Sequence, residues 1–490
     1  MMINCWKPRG LVAPLTRTAA LSHGHGVDYR QTAGNDGRLC FRMVSRIPLL
    51  VVYLAMVMLL MAAGVTAAAR PALAANPDPA APAVVPGTPL TFDDSIRLAI
   101  RQSPFFTKSS LEIDIRRMDE TDSRYGMVPP LTFQTYYYVT QPDGVNTKPY
   151  SLNFSTAPYN PFASYFTLQA QKLITEMAVY GHLKVISKGI QSLGQIFLQL
   201  DSLKKLEAYQ KDLIALAQEN LTYVQNRLSM GTATTLDLKV AQQNLQIHKG
   251  EQSTLEATQK RVLNNLKNLL GIPAAQVVNP DYRDSRRQVL GTFDPAATNL
   301  DQAKDRSYDL KIFDYQQKAQ KYNIYLATAR VFPTILFTAQ NPNPLSVSTS
   351  QGLYVGFGLE IPVWDGFKRI RNISRQKATL KQLEGQREER VISLEDKWLE
   401  SVADVQEKEL TLKAVKSQEE LVKLKAQQNE VRYQSGEIQL PVMLESRKEV
   451  LTTQKEVTRK VLEYERAVLN LREISGDLGH SYVDPTAFKK

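Results

Sequence analysis

The chain has 490 residues with 60 Lys/Arg against 49 Asp/Glu, a net charge of +11. Its two cysteines, Cys5 and Cys40, both precede an apolar run, so a chain processed beyond that run has no thiol, disulfide or acylatable cysteine. Removing residues 1–74 takes away eight Lys/Arg and two Asp/Glu and leaves a net charge of +5, too modest a balance for a nucleic-acid partner.

The first 42 residues have mixed composition and no apolar period, and Met43 is the better start. Arg46 is followed by the apolar stretch Ile47 to Val65 and then by small residues, with A-x-A sites at Ala67–Ala69 and Ala72–Ala74. Residues 1–74 are therefore expected to be an N-terminal extension and signal peptide cleaved after Ala74. The alternative is an uncleaved membrane anchor. Residues 75–89 form a proline-rich leader.

Repeat 1 is placed at residues 90–280. Thr91 with Asp94 three positions on is a capping box that opens a short helix. A second helix, about Phe105 to Met127, should stop before Pro129-Pro130. Leu131 to Gln141 alternates and is rich in aromatic and β-branched residues, a strand. A polar loop is expected next, then a second strand at Tyr165–Gln171, giving a β-hairpin over about 131–172. From about Glu176 to Ser229 a helix of some 54 residues, roughly 80 Å long, is expected. Its Leu183, Ile186, Ile190, Leu193, Phe197 and Leu200 alternate spacings of three and four, a left-handed coiled-coil seam. A return helix covers about 235–270.

After a linker at 281–299, repeat 2 runs over 300–476. It has a hairpin at about 334–362, a long helix at about 366–434 and a return helix at about 440–474; residues 477–490 are a tail. Leu353, Val355, Phe357, Leu359 and Ile361 alternate with Tyr354, Gly356, Gly358 and Glu360. The two repeats keep register: Arg227 and Gly231 lie 205 positions before Arg432 and Gly436, and Gly271 lies 205 before Gly476. The unit is doubled, so function should reside in the doubled shape.

Two hairpins give four strands, too few to close a barrel. Open strand edges in lipid leave backbone groups unsatisfied at several kcal/mol each, so other copies must complete the sheet. Three copies supply twelve strands, an even number in the range of outer-membrane barrels. The expected fold class is mainly α with a transmembrane β part: a trimeric 12-strand barrel continued by a periplasmic α-helical barrel.

The chain resembles the TolC-type outer membrane efflux proteins over about Leu90 to Gly476. The resemblance rests on Leu-Thr-Phe-Asp-Asp-Ser-Ile-Arg-Leu-Ala with Ser103-Pro104, and on Ile361-Pro-Val-Trp-Asp-Gly entering the long helix. It rests also on Arg227-x-x-x-Gly231-x-x-x-x-x-Asp237, on Arg432-Tyr-x-x-Gly436, and on the closing glycines Gly271 and Gly476. The resemblance implies a homotrimeric channel-tunnel in the outer membrane of a Gram-negative bacterium, extending into the periplasm. It also implies a passive conduit for efflux or type I secretion, docked by a periplasmic adaptor to an inner-membrane pump of RND or ABC type. The competing reading is an inner-membrane-anchored periplasmic coiled-coil adaptor, for which two amphipathic hairpins at matched positions have no use.

From the same resemblance, Arg227, Gly231, Arg432, Tyr433 and Gly436 are candidates for an adaptor-docking tip. The glycines also suit left-handed C-caps. Asp237 and Glu445 are candidates for acidic rings at the periplasmic entrance. Against that role, Thr234 to Asp237 is a capping box, Glu445 has Lys448 at i+3, and Val442 occupies the repeat position of Asp237. Tyr136, Tyr137, Tyr138 and Trp364 are candidate membrane-interface aromatics. The five histidines are scattered, and no nucleophile elbow or phosphate-cradling loop occurs, so no enzyme activity, cofactor or metal is expected.

Overall fold

The computed structural model describes residues 89–137, 150–282, 285–341, 354–361 and 363–482. The N-terminal extension, the apolar segment Ile47–Val65, the cleavage sites and Tyr138 lie outside the described residues.

Strand β1 (Pro89–Leu90) leads into α1 (Phe92–Gln102) and α2 (Pro104–Tyr125), followed by β2 (Leu131–Tyr137) and β3 (Tyr150–Thr156). Then come α3 (Pro161–Ser229) and α4 (Thr235–Leu270). A connector holds β4 (Asn279–Pro280), α5 (Ser285–Leu290) and a 3₁₀ turn (Pro295–Ala297). The chain continues as α6 (Leu300–Arg306), α7 (Tyr308–Ala329), β5 (Thr334–Asn341), β6 (Tyr354–Glu360), α8 (Lys368–Gln434), α9 (Leu440–Ile474) and α10 (Asp477–Tyr482). The order helix, two strands, very long helix, long helix thus occurs over 104–270 and again over 308–474. Among the described residues no helix is long and apolar enough to cross a membrane.

One expectation fails. Tyr165–Gln171 is not a strand but the second and third turns of α3, which starts at Pro161 rather than near Glu176. The alternating pattern there is outweighed by a helix start. Asn160 is the N-cap, its side chain accepting from the Ala163 amide at 3.0 Å, and Pro161 occupies the first helical position, where its missing N–H has no cost. The second strand of the first hairpin lies earlier, at Tyr150–Thr156, inside the stretch expected to be loop.

Helices α3 and α8, of 69 and 67 residues, are each about 100 Å long. Helix α3 packs on α2, α4, α7 and α9, and α8 packs on α7 and α9. The seam residues Leu183, Ile186, Ile190, Leu193, Phe197 and Leu200 are all buried. They join Phe92 and Ile96 of α1, Phe106 of α2, Leu266 and Leu270 of α4, and Val468 and Leu469 of α9 in the main core. On α8 the core face is narrower: Val405, Leu412, Val415 and Val422 are buried, while Trp398 and Val402 pack partly against the core. Close approach at the core requires glycine. A Cβ on Gly189 would lie 2.1 Å from the Phe106 ring, and one on Gly194 would lie 2.8 Å from Val289.

The two hairpins form one antiparallel sheet in the order β2-β3-β5-β6, joined where Phe154 pairs with Ala339. Its register sorts residues by face. Leu131, Phe133, Phe154, Ile335, Phe337, Val355, Phe357 and Leu359 share one side. Thr132, Gln134, Tyr136, Asn153, Ser155, Thr334, Thr338, Gly356, Gly358 and Glu360 share the other. The sheet is tied to the helices by Tyr159, whose amide and carbonyl both bond Ile335 at 2.8 Å, and by buried Asn160, which donates to the Ala329 carbonyl at 2.8 Å.

Candidate functional site

Both long helices end in the same turn. Gly231 (φ +72°) and Gly436 (φ +79°) take the left-handed conformation with no heavy atom within 4 Å of a built Cβ. The Thr232 amide bonds the Arg227 carbonyl at 2.9 Å and the Gly231 amide bonds the Leu228 carbonyl at 3.0 Å. In the second turn Glu437 bonds the Arg432 carbonyl at 2.9 Å and Gly436 the Tyr433 carbonyl at 3.0 Å. This is a Schellman motif made twice, and it satisfies the last carbonyls of each helix.

The two arginines close these turns. The Arg227 guanidinium donates to the Thr232 carbonyl at 2.8 Å, and Arg432 Nε donates to the Glu437 carboxylate at 3.0 Å. Each holds the residue after its glycine with its side chain while its own carbonyl accepts that residue's amide. Tyr433 sits between, its carbonyl engaged by Gly436. Sequence reading placed these residues at one tip but did not reveal the arginine clamp, whose i to i+5 spacing belongs to the turn rather than the helix. Around the turns, Met230, Leu236, Val240, Val431 and Val442 are exposed apolar side chains.

The two candidate entrance acids have local partners. Asp237 accepts from the Thr234 amide and hydroxyl, both at 2.8 Å, while Thr234 Oγ1 accepts from the Asp237 amide at 3.2 Å. The bond from the Thr234 backbone, then that from its hydroxyl, holds this carboxyl below its ordinary range. Glu445 accepts twice from Lys448 Nζ, at 3.0 and 3.2 Å, with the carboxylate still largely exposed. Behind the tip, α3, α8 and α9 frame a cleft of about 560 Å³. It is lined by Ala215, Leu216, Ala426, Val450 and Leu451 and rimmed by Arg447, which bonds Glu430 at 2.7 and 3.1 Å.

The aromatic candidates separate. Tyr136 lies on the polar face of the sheet and its hydroxyl donates to Gln134 Oε1 at 3.0 Å. Tyr137 pairs with Tyr150 in register. Trp364 is 75% exposed and packs edge-on against Phe367, ring centroids 5.0 Å apart. The structure adds aromatic contacts at the other junction, Phe162 with Phe332 and Phe166 with Tyr325. Sequence reading missed them because it took Phe162 for loop and Phe166 for strand.

At the start of α7, half-buried Asp309 is bonded by both Lys184 of α3 and Arg390 of α8. Burial pushes its carboxyl up, but these two donors outweigh it and hold the carboxyl below its ordinary value. Arg387 of α8 bonds Asp314 at 2.6 Å beside it. Among the described residues no group of three or more His, Cys, Asp or Glu side chains is placed to hold a metal.

No curated protein matches the chain by sequence comparison. Solved structures match its fold. An outer membrane protein VceC from Vibrio cholerae aligns over 79% of this chain and 96% of its own, with a TM-score of 0.65 and 14% identity. The Campylobacter jejuni CmeC outer membrane channel aligns over 81% and 88%, with a TM-score of 0.64 and 14% identity. A membrane protein from Pseudomonas aeruginosa aligns over 79% and 90%, with a TM-score of 0.67 and 16% identity. At such identities the likeness is one of fold. A match in sequence adds to this likeness: the model of the outer membrane efflux protein family matches residues 299–477 of the chain.

Proposed function

We propose that the chain is the outer-membrane channel of an efflux or type I secretion assembly. In this reading it is a homotrimeric passive conduit from periplasm to exterior, built from a duplicated unit. The observation that carries it is the sheet. Among the described residues its four strands leave β2 and β6 as unpaired edges, and one face is apolar and exposed, with Phe357 81% and Leu359 62% accessible. That face suits lipid. The opposite face, polar and glycine-containing, suits an aqueous lumen. Edges in lipid must be paired, and three copies set β6 of each chain against β2 of the next in a closed twelve-strand barrel.

The helices call for neighbours as well. Ile392, Leu399, Leu410, Leu421 and Val431 recur every seven to eleven residues along α8, each more than half exposed. Such a stripe is an interface rather than a solvated face. The paired tips, with their clamped turns and exposed apolar residues, are the docking ends for a periplasmic adaptor leading to an RND or ABC pump. The cleft behind them is the adjoining groove. Asp237 and Glu445 lie next to these tips and serve as entrance charges. A membrane-anchored adaptor would have no use for the sheet.

The test uses the thiol-free body of the chain. Thr132 and Glu360 lie on the polar face near the helix-side ends of the two edge strands. In Thr132→Cys/Glu360→Cys protein in membranes, a short bifunctional thiol reagent should give dimers and closed trimers. A product confined to single chains, or a folded monomer in detergent, would refute the trimer.

A further inference from the structure

The turn from β6 into α8 concentrates positive charge that the packing leaves unanswered. Between Gly366 and Leu383 the sequence holds Lys368, Arg369, Arg371, Arg375, Lys377 and Lys381 and no acidic residue. Arg369 has a partner in Asp365, its Nε 3.6 Å from the carboxylate. Among the described residues, the side chains of Lys368, Arg371, Arg375, Lys377 and Lys381 are exposed and enter no ion pair or hydrogen bond. The corresponding start of α3, residues 161–175, holds a single charged residue, Lys172.

Lys368, Arg371 and Arg375 stand at i, i+3 and i+7, on one face of α8. The face turned to α7 lies roughly a quarter-turn away. There the Gln376 carbonyl accepts from Gln320 at 3.0 Å and the Leu383 carbonyl from Gln317 at 3.4 Å. At the helix start the Asp365 carboxylate accepts from the Arg369 amide at 3.1 Å and pairs with its side chain, so the one nearby acid is committed to Arg369 and leaves Lys368, Arg371 and Arg375 unanswered. An arrangement that repels itself needs an anion from outside the chain.

Its surroundings indicate which. The three cations follow directly on Trp364 and Phe367, both exposed. Gly366 (φ +63°) and Phe367 (φ +61°) adopt consecutive left-handed conformations that bring the two rings together. A non-glycine residue in that region is strained and marks a constrained position. Before them Leu359, Ile361 and Val363 are exposed at 62%, 58% and 92%. Apolar strand, aromatic pair and cationic face succeed one another in the order of acyl chain, interface and phosphate.

We infer that Lys368, Arg371 and Arg375 bind the headgroup phosphates of anionic phospholipid in the periplasmic leaflet of the outer membrane. Arginine matches phosphate oxygens in a bidentate fork, and lysine adds a point charge. Three copies would set three such sites around the foot of the barrel. The inference rests on the barrel reading.

The experiment is native mass spectrometry of the full-length, detergent-extracted assembly titrated with cardiolipin, phosphatidylglycerol or phosphatidylethanolamine. Wild type should retain the two anionic lipids in preference to phosphatidylethanolamine, and millimolar inorganic phosphate should not displace them. The Lys368→Gln/Arg371→Gln/Arg375→Gln variant should bind them roughly a hundredfold more weakly, at about fivefold per cation. The Lys377→Gln/Lys381→Gln variant, on another face, should bind as wild type. Undiminished anionic-lipid binding by the triple variant would overturn the proposal. So would displacement by phosphate, which would mark a simple anion site. So would retained lipid with altered anion selectivity in planar-bilayer conductance, which would put the face in the lumen. If wild-type protein is instead washed from membranes by carbonate, the barrel reading itself has failed and takes this one with it.

Discussion

Replacing Gly436 by valine tests the tip without touching the core. No heavy atom lies within 4 Å of the site, so the cost is conformational rather than steric. The tip has two ways to respond. If it keeps φ near +79°, the valine is held in the left-handed region at about 1–2 kcal/mol, with β-branching at the upper end. If it leaves that region, the Gly436 to Tyr433 and Glu437 to Arg432 backbone bonds are lost, at about 1 kcal/mol each. The Arg432–Glu437 contact goes with them. The cheaper route bounds the damage, so the native turn loses about 1–2 kcal/mol, roughly a tenfold fall in its population against frayed alternatives. Gly436 lies in the turn ahead of α9, and the first α9 residue packed on the main core, Leu462, comes about 33 Å of helix after Leu440. Global stability should therefore barely change, with the Tm of the extracted assembly moving by no more than about 2 °C. Export of a pump substrate and cross-linking to the adaptor should both collapse, while Gly436→Asn, which tolerates the left-handed region, retains most of each. Normal export by Gly436→Val would remove the tip geometry from docking. Loss of the trimer from membranes would show that the turn is needed for assembly instead.

At the entrance, Glu445→Gln should lower cation preference in planar-bilayer conductance and weaken block by multivalent cations, with Asp237→Asn having the smaller effect because its carboxylate is committed to Thr234. Unchanged selectivity in Glu445→Gln would leave that residue as a surface partner of Lys448. Thr234→Ala should fray the first turn of α4 at about 1 kcal/mol, visible as faster amide exchange at the tip and nowhere else. Asp309→Asn leaves Lys184 and Arg390 facing each other without their shared anion, and should cost about 1–3 kcal/mol at neutral pH, discounted for partial exposure. The folded carboxyl titrates below the ordinary aspartate value of 3.8, so its stabilisation is complete above that value and fades as pH falls through the lowered one. Melting curves of wild type and Asp309→Asn should converge at strongly acid pH; a constant gap would assign the effect to packing.

What was legible in the sequence was local. Gly231 and Gly436 announced left-handed helix ends because few other residues tolerate that conformation. The α3 seam was visible because a coiled-coil face repeats within seven residues. The second hairpin was legible from Val355, Phe357 and Leu359, whose alternation no helix signal contests. The first was not: Tyr165 to Gln171 alternates equally well, and only Asn160-Pro161 ahead of it, a strong helix start, decides the matter. The true strand, Tyr150 to Thr156, alternates too but is short and polar enough to pass for loop. The Lys184–Asp309–Arg390 contact and the pairing of β3 with β5 join segments far apart in the chain, and no spacing rule reports them.

The junction between the hairpins also sets a timetable. Thr156 and Phe337, whose backbone and side chain bond across β3 and β5, are 181 residues apart. Between them lies a helical hairpin of more than a hundred residues. Until the second hairpin has been made, the first is an isolated two-stranded ribbon, marginal in water and open along both edges. Its inner edge has no partner until nearly the whole chain has been delivered. If the sheet enters the outer membrane as proposed, strand-by-strand entry into the bilayer is closed to this protein. Insertion has to wait for a completed subunit, and the first hairpin must be shielded from its like in other nascent chains throughout that delay. The slow, non-local step sits at the end of synthesis, where a nick or truncation after α4 would leave a hairpin able to pair only with strangers.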